Sequence, residues 1–180
     1  FVDSAPVLEH ALARNAGLGW IGKNSLLITK KLGSYVFLGE IIIDYELDYT
    51  ENSSQDYCGT CSLCVDECPT NAINPDRTVD ASKCISYLTI EHKVEIPSEF
   101  SNSFYNRAFG CDICQDVCPW NRDLIKHNIP EFEPKETFMK KTKEEWLSMD
   151  EKEFNSLFEG SAVKRTKFEG LRRNIDFLNP

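Results

Sequence analysis

The apolar positions change period along the chain. Near the start, Val7, Leu8, Ala11 and Leu12 form one stripe at helical spacing. Ser4 can cap that helix, Pro6 suits its first turn, and Gly17 can end it. From Ser25 to Thr29 and from Tyr35 to Ile43 the pattern predicts two strands around a Lys31-Leu32-Gly33-Ser34 turn. The second run is nearly continuous in apolar residues, broken by Glu40, which predicts a strand covered on both faces. Periodicity then lapses through residues 53–130, apart from a helix expected around Ser98 to Phe109. Helical spacing returns with Trp146, Leu147, Phe154, Leu157 and Phe158, predicting helices over residues 142–148, 150–158 and 161–177. The expectation is an α+β chain in three parts: an α/β piece over 1–52, an irregular module over 53–130, and a helical segment over 131–180.

The irregular module holds all eight cysteines, and their spacing names its chemistry. One run is Cys58-x2-Cys61-x2-Cys64-x3-Cys68-Pro69. The other is Cys111-x2-Cys114-x3-Cys118-Pro119, with Cys84 between them. The first is the run of bacterial two-cluster ferredoxins, in which the fourth cysteine ligates the other cluster. Cys58, Cys61, Cys64 and Cys118 are thereby assigned to one [4Fe–4S] cluster, and Cys84, Cys111, Cys114 and Cys68 to a second. Structural zinc prefers separated cysteine pairs or mixed cysteine–histidine sets. His10, His92 and His127 are scattered and form no such set. Disulfides suit an even count, but clustering this tight is poor disulfide geometry. The module's small apolar core would be marginal alone, so metal–thiolate bonds are expected to supply folding energy. The segment Ile85 to Gly110 is an insertion where a compact ferredoxin has about two residues.

Charge refines the picture. The net charge is −9, and residues 40–80 account for all of it, with ten acids against one base, Arg77. Those acids would favour the oxidised cluster states; neutralising Asp66 and Glu67 is expected to raise the midpoint potential. Near the other end, Lys164, Arg165, Lys167, Arg172 and Arg173 face a single acid, Glu169, within residues 161–173. That stretch is either a solvated helix face or a landing site for a polyanion. No apolar run is long enough to span a membrane, and reduced thiols suit a cytoplasmic location. The chain begins at Phe1 rather than Met, which predicts a fragment or a processed piece.

Gly17-Leu18-Gly19-Trp20-Ile21-Gly22-Lys23-Asn24 matches a dinucleotide fingerprint by spacing alone. It follows a helix and precedes a strand, the reverse of the order that fingerprint needs. Two readings stay open: a tight turn, or backbone that lets a large flat ligand approach. Trp20 and Trp120 are candidates to pack near cofactors, and Trp146 reads as core of the last helices.

Several motifs together resemble the epoxyqueuosine reductase family. They are Asp3-Ser4-x-Pro6-Val7-Leu8-Glu9, Ala16-Gly17-Leu18-Gly19-Trp20-Ile21-Gly22-Lys23-Asn24, and Gly33-Ser34-Tyr35-x-Phe37-Leu38-Gly39-Glu40-Ile41. Cys84-Ile85-Ser86-Tyr87-Leu88-Thr89-Ile90-Glu91, Cys118-Pro119-Trp120-Asn121, Gly160-Ser161-Ala162-Val163-Lys164-Arg165 and Gly170-Leu171-Arg172-Arg173-Asn174 extend the resemblance over nearly the whole chain. It implies an oxidoreductase of queuosine biosynthesis that removes the epoxide oxygen of epoxyqueuosine at the wobble position of tRNA. It also implies a cobalamin fed by two [4Fe–4S] clusters. On that basis residues 1–52 are the C-terminal part of a corrinoid-binding α/β domain, and the preceding portion that completes the corrinoid pocket lies outside this chain. Residues 53–130 are a bacterial two-cluster ferredoxin-like module with the insertion 85–110. Some relatives continue into helical repeats where this sequence stops at Pro180.

The resemblance also implies residue roles. Asp3 matches the acid beside the epoxide; a carboxyl before a helix can equally be a helix-terminus charge. Asn24, Leu27, Leu38, Ser86 and the backbone near Cys111 and Asp112 match corrinoid contacts, although Leu27 and Leu38 equally suit ordinary core. The electron donor is unassigned. A corrinoid reductive dehalogenase shares much of the layout, but the basic stretch from Lys164 favours RNA. A plain electron-transfer ferredoxin needs neither the insertion nor the first fifty residues.

Overall fold

The computed structural model describes residues 5–48, 55–124 and 127–178. Its elements are α1 (Glu9–Asn15), β1 (Trp20–Ile21), β2 (Leu27–Ile28), α2 (Leu63–Asp66), α3 (Ile85–Ile90), α4 (Ile113–Asp116), α5 (Glu136–Met139), α6 (Lys143–Ser148), α7 (Glu151–Leu157) and α8 (Lys167–Phe177). The chain divides into two compact units. The first combines Phe1–Cys68, Ile73–Val79 and Ile113–Ile125; the second combines Pro69–Ala72, Asp80–Asp112 and Lys126–Pro180.

In the first unit, α1 begins at Glu9, later than the Ser4 cap implied. Ala5 precedes a proline, which disfavours helical backbone, and Leu8 at the helix entry is itself non-helical. Ser4 lies outside the described residues. The helix ends as expected on Gly17, whose φ of 75° lets its amide turn back to the Arg14 carbonyl. The next residues form a short antiparallel hairpin in which Trp20 pairs with Ile28 and Ile21 with Leu27. Gly19 explains itself here, since a Cβ on it would sit 2.1 Å from the Ile28 carbonyl oxygen. The close approach that the glycine-rich loop was expected to allow is therefore, at Gly19, an approach of its own partner strand.

Tyr35 to Ile43 is not a strand. The described residues contain one two-stranded sheet, and this run has no neighbour in it. A strand needs a partner for its backbone groups and cover for its apolar faces. Phe37 and Ile42 are instead 88% and 94% exposed.

The second unit is built on apolar burial. Ile85 and Leu88 of α3 pack with Ile96, Phe100 and Phe104 of the insertion, with Cys111, Phe177 and Leu178 beside them. A second cluster joins Met149, Phe154, Phe158, Leu171 and Ile175, with Trp146 and Leu157 at its edge. The helical spacing read from the sequence thus marks the inward stripe of α6 and α7, half-buried at Trp146 and Leu147 and buried at Phe154. Thr142 and Glu145 form a capping box at the start of α6, and Asp150 caps α7. The third expected helix, 161–177, divides into a 3₁₀ turn over Ala162–Thr166 and α8, whose first residue, Lys167, breaks the run with a φ of 63°. The helix expected over Ser98 to Phe109 is reduced to one 3₁₀ turn, Ser98–Phe100. Tyr105 and Asn106 both take left-handed backbone, which a right-handed helix cannot contain.

Candidate metal centre

Cys58, Cys61, Cys64 and Cys118 line one cavity of about 240 Å³ in the first unit. These are the four thiols that the spacing assigned to one cluster. Three reach it through the turn leading into α2 and through α2 itself, where the Cys61 amide bonds the Cys58 carbonyl at 3.0 Å. The fourth follows α4, whose register brings Cys118 back towards the same space. None of the eight cysteines forms a disulfide.

The residues fit a cluster better than a lone ion. Among the described residues, no three His, Cys, Asp or Glu side chains converge to hold one metal ion. The cavity is several times the ~30 Å³ share of a water molecule. Burial pushes the Cys64 thiol up, and its neighbours Cys58, Cys118 and Cys61 push in the same direction. Burial likewise pushes Cys118 up, against hydrogen bonding from the Trp120 and Asn121 backbone amides. Cys64 and Cys118, desolvated beside other sulfurs, resist becoming thiolates unless positive iron compensates them.

The hairpin that follows α1 holds this cavity. Lys23 also lines it, and its ammonium donates to the carbonyls of Gly59 (2.9 Å) and Cys61 (2.6 Å). The Trp20 indole N–H donates to Cys58 Sγ at 3.4 Å. Arg77 donates to the Ile21 carbonyl at 2.6 Å and to Asp56, and the other Asp56 oxygen accepts from the Cys58 amide at 2.8 Å. Burial pushes the Asp56 carboxyl up; the hydrogen bonds from Arg77 and the Cys58 amide, with the Arg77 charge, outweigh it and hold the group below the usual carboxylate range. Trp20, Tyr57 and Trp120 meet edge to face, with centroids 4.9–5.9 Å apart; Tyr57 and Trp120 line the cavity, and Trp20 packs against them.

Within the first unit, Asn121 ties the segment after α4 to the Gly33–Ser34 turn. Its Nδ2 donates to the Gln115 carbonyl at 2.8 Å and to Ser34 Oγ at 2.9 Å, and its Oδ1 accepts from the Ser34 amide at 2.8 Å. Gly33 leaves room for it, since a Cβ there would lie 2.0 Å from Oδ1. The sequence had offered Asn121 only as part of a family motif. Its distance along the chain from Gly33 hid the pairing.

The other expected site residues divide. Cys68 and Cys114 belong to the first unit, Cys84 and Cys111 to the second. Within the second unit Cys84 stands at the N-terminus of α3, and Cys111 packs on the core that α3 helps to form. Asn24 is buried and lines the thiol cavity, with its Nδ2 donating to the Cys114 carbonyl at 3.3 Å. Leu27 and Leu38 line a different opening, a groove of about 740 Å³ that includes Gly17, Gly19 and Trp20. Ser86 is half-buried on α3, and Asp112 is exposed. Asp3 lies outside the described residues.

The basic stretch is less uniform than its sequence. Arg173 donates to the carbonyls of Leu88, His92 and Val94 at 2.7–2.9 Å, capping the end of α3. Arg165 pairs with Glu91, and Arg172 with Asp176. Lys164 and Lys167 are exposed. Among the described residues, no helix is long and apolar enough to cross a membrane.

Comparison with known proteins agrees with this geometry. Residues 57–121 match the family model of a 4Fe-4S double cluster binding domain. The chain is 54% identical over 178 residues to an epoxyqueuosine reductase of Cellulophaga algicola, covering 99% of this chain and 58% of that protein. It is 55% identical over 178 residues to one of Cyclobacterium marinum, covering 99% of this chain and 56% of that one. A crystal structure of epoxyqueuosine reductase with an epoxyqueuosine-modified tRNA-Tyr stem loop superposes with a TM-score of 0.87 and 34% identity, over 99% of this chain and 47% of that one. The chain thus spans less than two thirds of the length of the curated relatives it matches. Over nearly its whole length the chain is similar to part of these epoxyqueuosine reductases, and residues 57–121 carry a 4Fe-4S double cluster binding domain.

Proposed function

We propose that this chain is the electron-delivering portion of an epoxyqueuosine reductase, an oxidoreductase that acts on epoxyqueuosine at the wobble position of tRNA. The reaction takes the oxygen from an epoxide with two electrons and two protons, leaving an alkene and water. The observation that carries the reading is the cavity bounded by Cys58, Cys61, Cys64 and Cys118, in a chain whose relatives bear that name. When bound, two [4Fe–4S] clusters supply electrons singly, and a cobalamin supplies the centre that gathers the pair.

The chain's own residues have distinct tasks. Cys58, Cys61, Cys64 and Cys118 hold the first cluster. Cys68, Cys84, Cys111 and Cys114 hold the second, an assignment that rests on their spacing. Leu27 and Leu38, with the backbone of Gly17 and Gly19, offer an apolar wall suited to a flat ring. Asn24, Ser86 and the backbone of Cys111 and Asp112 are polar groups suited to corrin amides. Asp3 delivers a proton to the leaving oxygen, a role taken from its match to the family motif. The exposed apolar run from Tyr35 to Ile43 supports reading residues 1–52 as part of a larger corrinoid-binding α/β domain, followed by the ferredoxin-like module 53–130 and the helical segment 131–180. Lys164 and Lys167 are exposed cations within reach of a polyanion, which suits tRNA. Such chemistry suits the cytoplasm.

The test is anaerobic. The intact protein, supplied with cobalamin, a low-potential reductant and an epoxyqueuosine-containing tRNA stem loop, should yield RNA lighter by one oxygen atom. About eight iron atoms per polypeptide are expected. About four or fewer, or zinc in their place, would overturn the assignment of the cysteines. Full turnover by Asp3→Asn would remove Asp3 from the reaction.

A further inference from the structure

The hairpin from Trp20 to Leu27 makes two kinds of contact with the first cysteine run, and both act on charge. Lys23 sets an ammonium against the Gly59 and Cys61 carbonyls at the lip of the four-thiol cavity. Trp20 aims its indole N–H at Cys58 Sγ from a buried position, 3% exposed. It packs against Tyr57 and Trp120, which line the cavity, so its contact with sulfur works in a setting drier than water, while Lys23 acts from the half-buried lip. Lys30, over the Tyr57 ring at 4.0 Å, secures the outer side of that wall.

The geometry points to Trp20 and Lys23 as positioning residues that raise the reduction potential of the first cluster above that of an unsupported one. This rests on the reading of the cavity as a [4Fe–4S] site. One electron converts [4Fe–4S]²⁺ to [4Fe–4S]⁺; no bond breaks, and the added electron makes the anionic four-thiolate assembly more negative by one charge. A donor to sulfur draws density from the thiolate, and a nearby ammonium favours the extra negative charge. Both stabilise the reduced form. Lys23 also pins the loop that presents Cys58 and Cys61, so its charge and its geometry are coupled. The exposed acids Asp66 and Glu67 oppose this effect from water, where salt screens them.

The experiment uses the intact protein with both clusters, titrated anaerobically with dithionite and redox mediators and followed by electron paramagnetic resonance and iron analysis. Trp20→Phe keeps the aromatic wall and removes the donor. Lys23→Met removes the charge and both carbonyl contacts, and Lys23→Arg restores them. With iron held at about eight atoms per chain, each of the first two variants should lower one midpoint while leaving the other in place. The shift should approach a tenfold change in the reduced-to-oxidised ratio at a fixed potential, about 59 mV for one electron. Lys23→Arg should return the midpoint most of the way. Loss of about half the iron in Lys23→Met alone would support the loop-holding role, with Trp20→Phe then deciding the potential. Unchanged midpoints in Trp20→Phe and Lys23→Met, with iron intact, would overturn the proposal. A wild-type protein without eight iron atoms would instead overturn the cluster assignment beneath it.

Discussion

The thiol cavity of the first unit and the α3–α8 contact of the second both bury polar groups, by opposite means. Among the described residues of the second unit, every buried side-chain nitrogen and oxygen has a hydrogen-bond partner. Asn174 is fully buried, and its Nδ2 donates to the carbonyls of Thr89 (2.7 Å) and Ala108 (2.8 Å). Thr166 adds a hydroxyl to the same Thr89 carbonyl at 3.1 Å. Two apolar clusters surround these contacts. In the first unit the buried apolar set at the cavity is small, Trp20, Ile28 and Cys118, and burial makes the Cys64 and Cys118 sulfurs costly to ionise. One region is complete as polypeptide; the other is completed by iron.

Removing the iron should give the largest effect and the sharpest test of that contrast. Oxidative chelation of the intact protein should bring amide exchange over residues 56–64 close to the unfolded rate, while the α8 amides stay protected. Equal loss of protection in both places would break the comparison. The next effect is confined to the second unit. Asn174→Ala should cost about 2–3 kcal/mol in urea unfolding, because it strips donors from two buried carbonyls. An effect below about 0.5 kcal/mol would mean that water replaces the amide there.

Smaller still is the contribution of Asp56. Its carboxyl is held below the usual range in the folded protein. The stability it adds is therefore fully present above the unfolded value, about 3.9, and is lost as pH falls through the lower folded value. Asp56→Asn should flatten acid unfolding of the first unit below about pH 4, and only slightly, since the pair with Arg77 is solvent-exposed. Smallest is the change from Asp66→Asn with Glu67→Gln. Acidity near the clusters led to the expectation of a raised midpoint, and exposure of both side chains now limits it to less than the Lys23→Met shift, measured in the same titration.

Much of this was legible in the residues. The inward stripe of α6 and α7 could be read because helical periodicity is local, and the capping box at Thr142 is likewise local. The run from Tyr35 to Ile43 misled because apolar composition records a need for cover without saying what provides it. The insertion misled because two left-handed residues, Tyr105 and Asn106, interrupt a segment of otherwise helical composition. Arg173 looked like surface charge because its neighbours in sequence are surface charges. Its partners, Leu88, His92 and Val94, lie some eighty residues earlier in the chain.

Residue order alone carries the ligand chemistry. A thiolate set for iron–sulfur is written in spacings of two and three residues, distances short enough for local backbone to enforce. What surrounds that set came from folding. Trp20, Lys23 and Asn24 could have served any ligand near a glycine-rich loop, and folding turned them towards the cysteines. Such placement depends on contacts between residues nearly forty to ninety positions apart, which no local pattern encodes.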